Sequence, residues 1–306
     1  MRRPSREGLR ALYDQVFKDL PSGLSQLRAE VALLREALGR VEGRLSAANP
    51  SPRLNDHEFR VFSQFGEDGI LQNLVQRVVI DRRYFVEFGV EDYTQANTRW
   101  LMLQDGWQGL VLDGSELHVE AIRHSRAAWS NGLTAVAAFI TRENINELIG
   151  SAGVSGRIGV LSVDIDGNDY WVWEALTIVD PAIVVVEYNH RFGPERSVVV
   201  PYDAGFVRRD AHWSHVYYGA SLSALCGLAQ RKGYAFVGCG SAGVNAFFVR
   251  SDALPPDLPE LTPRQGYVAA QVREATDEQG RYTYLTTEQE LALVDHLKLV
   301  EVPGPF

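Results

Sequence analysis

Acidic and amide side chains crowd the centre of the chain, at Asp164, Asp166, Asn168 and Asp169. They directly follow residues 158–163, an apolar run rich in β-branched residues that predicts a strand buried on both faces. Carboxylates at the end of a dry strand are costly unless a cation, a proton or hydrogen-bond donors meet them. In an open α/β sheet, ligands bind at this end of a strand. We therefore expect the reactive centre here.

A further acid, Glu187, closes the next predicted strand, residues 181–189. If the two strands are neighbours, about 4.8 Å apart, Asp164 and Glu187 can share one oxygen-loving cation such as Mg²⁺. Asp166 and Asn189 are the expected additional ligands. In a metal-free alternative, Asp164 hydrogen-bonds the cofactor or the acceptor directly.

Two earlier predicted strands also carry acids near their ends, Glu87 in the first and Asp113 in the second. Dinucleotide folds need G-x-G-x-x-G for close approach to a pyrophosphate, but here only Gly89 is present, before Val-Glu-Asp, which would repel phosphate. The ligand should therefore be nucleoside-like and poor in phosphate. S-adenosylmethionine fits, because Asp113 can bind its ribose and acids such as Glu87 can face its cationic groups. The alternative is a purely structural role, in which these acids only cap the following helices.

Methyl transfer from such a donor to a hydroxyl group requires an aligned nucleophile and a base that removes its proton. A divalent cation on the hydroxyl oxygen would lower the pKa of that proton. We expect His190, just beyond Glu187, to be the base, and Asp169 is the second candidate.

The elements that position these residues alternate between strand and helix from residue 84 to residue 189. This rhythm, followed by a hairpin over residues 234–250, predicts an α/β fold with a Rossmann-like, mostly parallel sheet and a C-terminal antiparallel hairpin. The catalytic domain should span residues 51–254. Residues 255–306 should form a C-terminal arm and helix. The long loop 189–219 should form a lid or a binding loop, in which Trp213, Tyr217 and Tyr218 either pack on the apolar face of a sugar or fill the lid.

Residues 1–50 are predicted to be a separate helical segment. A short helix over 8–20 should end at Pro21, and residues 47–52 read as a linker. Between them, apolar residues alternate spacings of three and four, which is the a/d seam of a coiled coil and predicts a homo-oligomer. A helix folded back on its own domain is the alternative. The seam residues are Leu24, Leu27, Val31, Leu34, Leu38, Val41 and Leu45.

Charge and composition exclude several classes of protein. Residues 1–50 carry a net charge of +3 and the remainder −12, which argues against nucleic acid as a partner. No apolar run approaches the ~20 residues of a membrane span, and the basic start has no apolar stretch behind it, so we expect a cytoplasmic protein. The two cysteines, Cys226 and Cys239, are too few for a disulfide framework.

Five motifs carry a resemblance to a known family: FSQFGEDGI, FVEFGV, NTRWLMLQDGWQGLVLDGS, LSVDIDGNDYWVWEAL and VVVEYN. Over residues 60–250 the chain resembles FkbM-like S-adenosylmethionine-dependent methyltransferases and, more distantly, metal-dependent sugar O-methyltransferases of macrolide pathways. The resemblance implies a class I methyltransferase fold, cofactor contacts around the first two strand ends and chemistry near Asp164. The candidate cofactor-binding residues are Gln64, Glu87, Gly89, Asp113, Gly114, Phe139 and Asp164.

The sequence therefore predicts an O-methyltransferase that acts on a sugar hydroxyl of a glycan or glycosylated natural product, with a divalent metal such as Mg²⁺. A non-sugar small molecule is the alternative acceptor. A third reading is an inactive coiled-coil scaffold whose methyltransferase-like domain only binds a ligand.

Overall fold

The computed structural model describes residues 6–306, with only the backbone described for residues 6–19. The helices are α1 (Arg6–Ala48), α2 (Glu67–Arg77), α3 (Arg99–Asp105), α4 (Glu116–Arg123), α5 (Arg126–Asn131), α6 (Ile145–Ser151), α7 (Asp169–Ala175), α8 (Arg208–Ala211), α9 (Leu222–Arg231), α10 (Pro263–Gly266) and α11 (Thr287–Val294). The strands are β1 (Tyr84–Phe88), β2 (Gln108–Asp113), β3 (Leu133–Ala137), β4 (Gly156–Val163), β5 (Val179–Glu187), β6 (Val198–Val199), β7 (Tyr234–Cys239), β8 (Asn245–Arg250) and β9 (Val300–Glu301).

Seven strands form one sheet in the order β3-β2-β1-β4-β5-β8-β7. The first five run parallel, and β8 lies antiparallel to both β5 and β7. Phe88 of β1 pairs with Leu112 of β2 and with Val163 of β4, while Val163 pairs with Val186 of β5. The predicted Rossmann-like sheet with a C-terminal antiparallel hairpin is confirmed. Its four central parallel strands therefore end side by side.

The central strands are buried on both faces, as the apolar runs predict. Val86 and Leu161 pack in one hydrophobic cluster, whereas their neighbours Phe85 and Val160 pack in the other, on the opposite face. Helices pack on both faces of the sheet, which leaves its carboxyl edge open to polar side chains such as Asp113 and Glu187.

The long N-terminal helix differs from its prediction in one respect. Helix α1 runs without interruption from Arg6 to Ala48 and includes Pro21, so the break expected there is wrong. Proline removes one backbone hydrogen bond and strains the preceding turn, which bends a helix as often as it ends it. Every residue from 20 to 35 is exposed.

Near its end, α1 packs against its own domain through small residues. A side chain at Gly39 would overlap Val61 and lie 2.9 Å from Trp100, and Gly43 faces Phe59. The Ser46 hydroxyl lies 2.7 Å from the His57 ring. This close approach explains why helix-weakening glycines are present here.

The C-terminal arm crosses the carboxyl edge of the sheet. The Tyr267 hydroxyl donates a hydrogen bond to the carbonyl of His190 (2.7 Å), and the Tyr188 hydroxyl donates one to the carbonyl of Val268. Strand β9 pairs with β6, which lies within the long loop 189–219. The arm and the long loop therefore pack together above the sheet.

Across residues 6–306, none of the helices combines the length and the apolar character that a membrane crossing requires.

Candidate active site

A cavity of about 430 Å³ opens at the carboxyl ends of β1, β2, β4 and β5. Each of the candidate cofactor-binding residues lines it, and so do Asp166, Glu187 and His190. The cofactor candidates on its wall are Gln64, Glu87, Gly89, Asp113, Gly114, Phe139 and Asp164.

Asp113 closes β2 and has capacity left for a ligand. Its carboxylate accepts hydrogen bonds from the backbone N–H groups of Glu91 (2.7 Å) and Ser115 (2.8 Å). The N-cap of α4 is Ser115, whose own hydroxyl accepts the capping hydrogen bond from His118, so Asp113 does not cap this helix. A carboxylate offers about four acceptor sites, which leaves room for the two hydroxyls of a ribose.

Glu87 has a larger structural role than the sequence suggests. Its two oxygens accept hydrogen bonds from the N–H groups of Asn97 (2.8 Å) and Thr98 (3.1 Å) and from the Thr98 hydroxyl (2.5 Å). Burial raises the pKa of this carboxyl to about 6 despite these donors. Glu87 therefore fixes the loop between β1 and α3 and reaches the cavity as part of its wall.

Gly89 brings the ends of β1 and β4 into contact. Its φ is +70°, and a Cβ atom there would overlap the carbonyl oxygen of Asp164. Only glycine adopts this conformation without strain. The donor-side loop after β1 and the acidic loop after β4 are thus held together at one point.

We expect Gly89→Ala to lower the free energy of unfolding by about 2–4 kcal/mol, because a left-handed alanine and a backbone clash both destabilise the fold. Gly114→Ala is the matched control. Gly114 lines the same cavity, yet a Cβ atom there would meet no atom within 4 Å. Urea denaturation of both variants checks this, and equal midpoints would contradict the role assigned to Gly89.

Asp164, Asp166 and Glu187 form an acidic triad, with ligand oxygens that all lie within 4.8 Å of one another. Asp166 adopts a left-handed backbone with φ of +58°, which aspartate tolerates at a cost. Neighbouring strands β4 and β5 supply the other two residues. The predicted meeting of Asp164 and Glu187 at one place is therefore observed.

The donor set of the triad fits a divalent cation. Glu187 is buried, and its Oε2 atom has no hydrogen-bond partner in the described part of the chain. Burial, and then the nearby charge of Asp164, raises the pKa of Glu187 well above its usual range. A cation bound by oxygen ligands would relieve both the missing partner and the repulsion.

Two predicted residues serve other purposes. Both oxygens of Asp169 accept backbone hydrogen bonds, from Ile165 (2.7 Å) and Gly167 (2.9 Å), so this side chain stabilises the loop that carries the triad. The Oδ1 atom of Asn189, the one that could bind a cation, accepts a hydrogen bond from the backbone N–H of Arg191 (3.2 Å), while Nδ2 donates to two backbone carbonyls. We therefore leave Asn189 out of the cation site and Asp169 out of the candidate bases.

His190 is the buried group on the cavity wall whose bonding is least satisfied. It is only 4% exposed, and neither ring nitrogen has a hydrogen-bond partner among the side chains and backbone that the structure describes. Burial, and then the positive charge of Arg191, lowers its pKa to about 4. A neutral imidazole with a free nitrogen can accept a proton from a bound ligand.

Arg208 is a member of the site that sequence reasoning missed. Its guanidinium contacts Asp166 and Glu274, each at 2.7 Å, and lies 4.0 Å from Glu187 and 3.6 Å from the centre of the Tyr218 ring. It adds one positive charge beside the triad. No local pattern marks it, because its partners are distant in the sequence.

Glu274 and Glu290 belong to the predicted C-terminal arm, and their negative charges neutralise buried arginines at the candidate site. Arg191 is fully buried and pairs with Glu290 at 2.6 Å and with Glu274 at 3.3 Å. The arm also contributes Val272 to the cavity wall. Residues 255–306 are therefore part of the candidate site.

Of the three aromatic residues expected to cover the site from the long loop 189–219, only Tyr218 lines the cavity. Phe206 also lines it, and Phe206 packs where a side chain at Gly167 would otherwise lie. Trp213 instead stacks on His212, and the Tyr217 hydroxyl donates to the carbonyl of Lys298 at 2.5 Å.

Comparisons with known proteins show only distant similarity. No family model and no curated protein matches the chain. Among solved structures, the N-terminal domain of EvdMO1 with SAH bound is similar at 13% identity and a TM-score of 0.39, over 70% of this chain and 94% of that chain. The O-methyltransferase from Bacillus cereus in complex with SAH is similar at 16% identity and a TM-score of 0.38, over 72% and 87% of the two chains. Likenesses at this level do not assign an activity to this chain.

Proposed function

We propose that this chain is an S-adenosylmethionine-dependent O-methyltransferase that acts on a sugar hydroxyl of a glycan or glycosylated natural product. One observation carries the proposal: acidic groups at the ends of four neighbouring strands share a single cavity with His190, whose ring nitrogens have no hydrogen-bond partner among the described residues. Asp113 would bind the ribose of the donor. The triad and His190 would receive the acceptor.

The spacing of the strands suits this division. Asp113 and Asp164 are two strands apart, or about 10 Å, and Glu187 is one strand farther away. A donor whose ribose lies on Asp113 can thus extend its sulfonium across β1 toward the triad. Glu91, which follows Gly89, adds a negative charge near the donor end and disfavours phosphate-rich ligands.

The proposed reaction is a single methyl transfer. His190 accepts the proton of the acceptor hydroxyl as its oxygen attacks the methyl carbon. The carbon–sulfur bond breaks, its electron pair stays on sulfur, and the donor leaves as neutral S-adenosylhomocysteine. Asp164, Asp166 and Glu187 would hold a divalent cation such as Mg²⁺, whose contribution when bound is to acidify the acceptor hydroxyl.

A polyhydroxylated acceptor suits the far end of the cavity. Carboxylate oxygens of the triad offer hydrogen bonds, and the ring of Phe206 offers an apolar surface. A sugar presents both hydroxyls and apolar C–H faces.

Donor binding tests the proposal before any acceptor is known. In calorimetric titrations we expect the full chain to bind S-adenosylmethionine and S-adenosylhomocysteine but not ATP, because the donor end is acidic. The second step measures S-adenosylhomocysteine release with simple sugars and their aryl glycosides, with and without EDTA. Preferential binding of ATP, or an absence of binding to either sulfur nucleoside, would contradict the proposal.

We also propose that the protein acts as a homo-oligomer in the cytoplasm. Cys226 and Cys239 are both buried free thiols, which suits a reducing compartment.

A further inference from the structure

Helix α1 presents two different faces, and only one of them contacts its own domain. The domain-facing side carries Gly39, Gly43 and Ser46, with Arg35 donating to the carbonyl of Val61. The a/d seam lies on the other side. Its members are between 46% and 69% exposed and include one residue before Pro21: Leu20, Leu24, Leu27, Val31, Leu34, Leu38, Val41 and Leu45.

We propose that this seam pairs with a second copy of the same chain as a two-stranded, parallel coiled coil. From Leu20 to Leu45 the seam is about 38 Å long at the helical rise per residue, and it comprises eight consecutive a and d positions. A single exposed helix of this kind is marginal in water, so a regular apolar seam requires a partner with the same period. A second copy supplies that period by symmetry.

The flanking charges select the parallel orientation. In a parallel pair, Glu30 at position g lies beside Arg35 at the following e position of the partner, which gives two attractive contacts by symmetry. The antiparallel alignment that matches the same leucines would place Arg28 against Arg35. Arg35 is also tied to Val61 of its own domain, which leaves less of the e flank for a third helix.

The same helix supports one wall of the candidate site. It contacts residues 57–61, and the backbone N–H groups of Val61, Phe62 and Ser63 all donate to Asp68, at 2.7 to 2.9 Å. Gln64 comes next and lines the cavity. Helix α1 therefore supports the segment that carries Gln64 into the cavity wall, and the proposed pairing would order the helix that gives this support. This last step rests on the proposed function, whereas the coiled coil does not.

Two adjacent leucines provide the test. Leu34 lies on the seam and Leu33 beside it, and both are well exposed, at 69% and 64%. Light scattering of the full chain and of Leu33→Glu should give twice the 34.1 kDa chain mass. Leu34→Glu should raise the dissociation constant by at least about tenfold, since it places two carboxylates at the centre of an apolar seam.

Orientation is tested by a cysteine at one end of the seam. Oxidised Leu24→Cys should form a disulfide-linked dimer if the helices are parallel, and the native thiols are buried and do not compete. A disulfide formed only when Leu24→Cys is mixed with Val41→Cys would overturn the parallel arrangement. A dissociation constant for Leu34→Glu equal to that of the unmodified chain, measured by light scattering over a dilution series with circular dichroism showing a folded domain, would overturn the coiled coil and leave the methyltransferase proposal standing.

Discussion

Glu187→Gln is expected to lower the rate of methyl transfer by about 10²- to 10³-fold. An amide of the same size preserves the packing of the β5 terminus but removes the charge from the buried end of the triad. Because Glu187 is about 14 Å, or three strands, from Asp113, the affinity for S-adenosylmethionine should stay the same. Calorimetry with Mn²⁺ gives a readout that is independent of turnover, and binding of this ion should weaken markedly.

Asp113→Asn is the complementary variant. The amide cannot accept hydrogen bonds at both of its ends, so one of the contacts from Glu91 and Ser115 is lost and donor binding should weaken. Mn²⁺ binding should not change. If Glu187→Gln instead weakens donor binding and leaves Mn²⁺ unaffected, the division of the cavity into donor and acceptor halves is wrong.

His190→Gln is expected to lower the rate by about 10²- to 10⁴-fold, the usual contribution of a positioned base. His212→Gln is the control, because His212 belongs to the same loop but stacks on Trp213. The control variant should turn over normally. Comparable losses in both variants would mean that the loop as a whole, and not the imidazole of His190, determines the rate.

The pH dependence of the rate gives a second test of His190. A base must be deprotonated to act, so its activity disappears as the pH falls through its pKa. A saturating concentration of Mg²⁺ keeps the triad carboxylates ionised, although burial raises the pKa of Glu187. Since burial lowers the pKa of His190 to about 4, kcat/KM at saturating Mg²⁺ should be constant from pH 8 to about pH 5 and decline only below that. A half-maximal rate near pH 6.5 would point to an ordinary, solvated histidine.

The strand ends were predictable because parallel neighbours end at a common edge. Short apolar runs located β1, β2, β4 and β5, and the acids at their ends had to converge. The sheet order and the cavity therefore agree with the sequence analysis. The same logic failed for Asn189 and Asp169, which sit where the chain turns and bond to nearby backbone groups, a habit of short polar side chains.

Other features depend on contacts that no local pattern reveals. Arg208 and Glu274 meet across 66 positions of sequence, and neither lies at the end of a strand. The glycines of α1 are a partial exception. Gly39 and Gly43 lower helix propensity four residues apart, so they mark a face that approaches another part of the fold, here Val61 and Phe59.

The order in which the chain is made has a consequence for the site. The seven-stranded sheet is complete at Arg250, yet both carboxylates that pair with Arg191 lie beyond it, at Glu274 and Glu290. A nascent chain that has just completed β8 would lack both carboxylate partners of Arg191. A buried guanidinium without its partners costs about 3–5 kcal/mol. A chain that ends before Glu274 would thus keep all seven strands of the sheet but lack both carboxylates that neutralise Arg191.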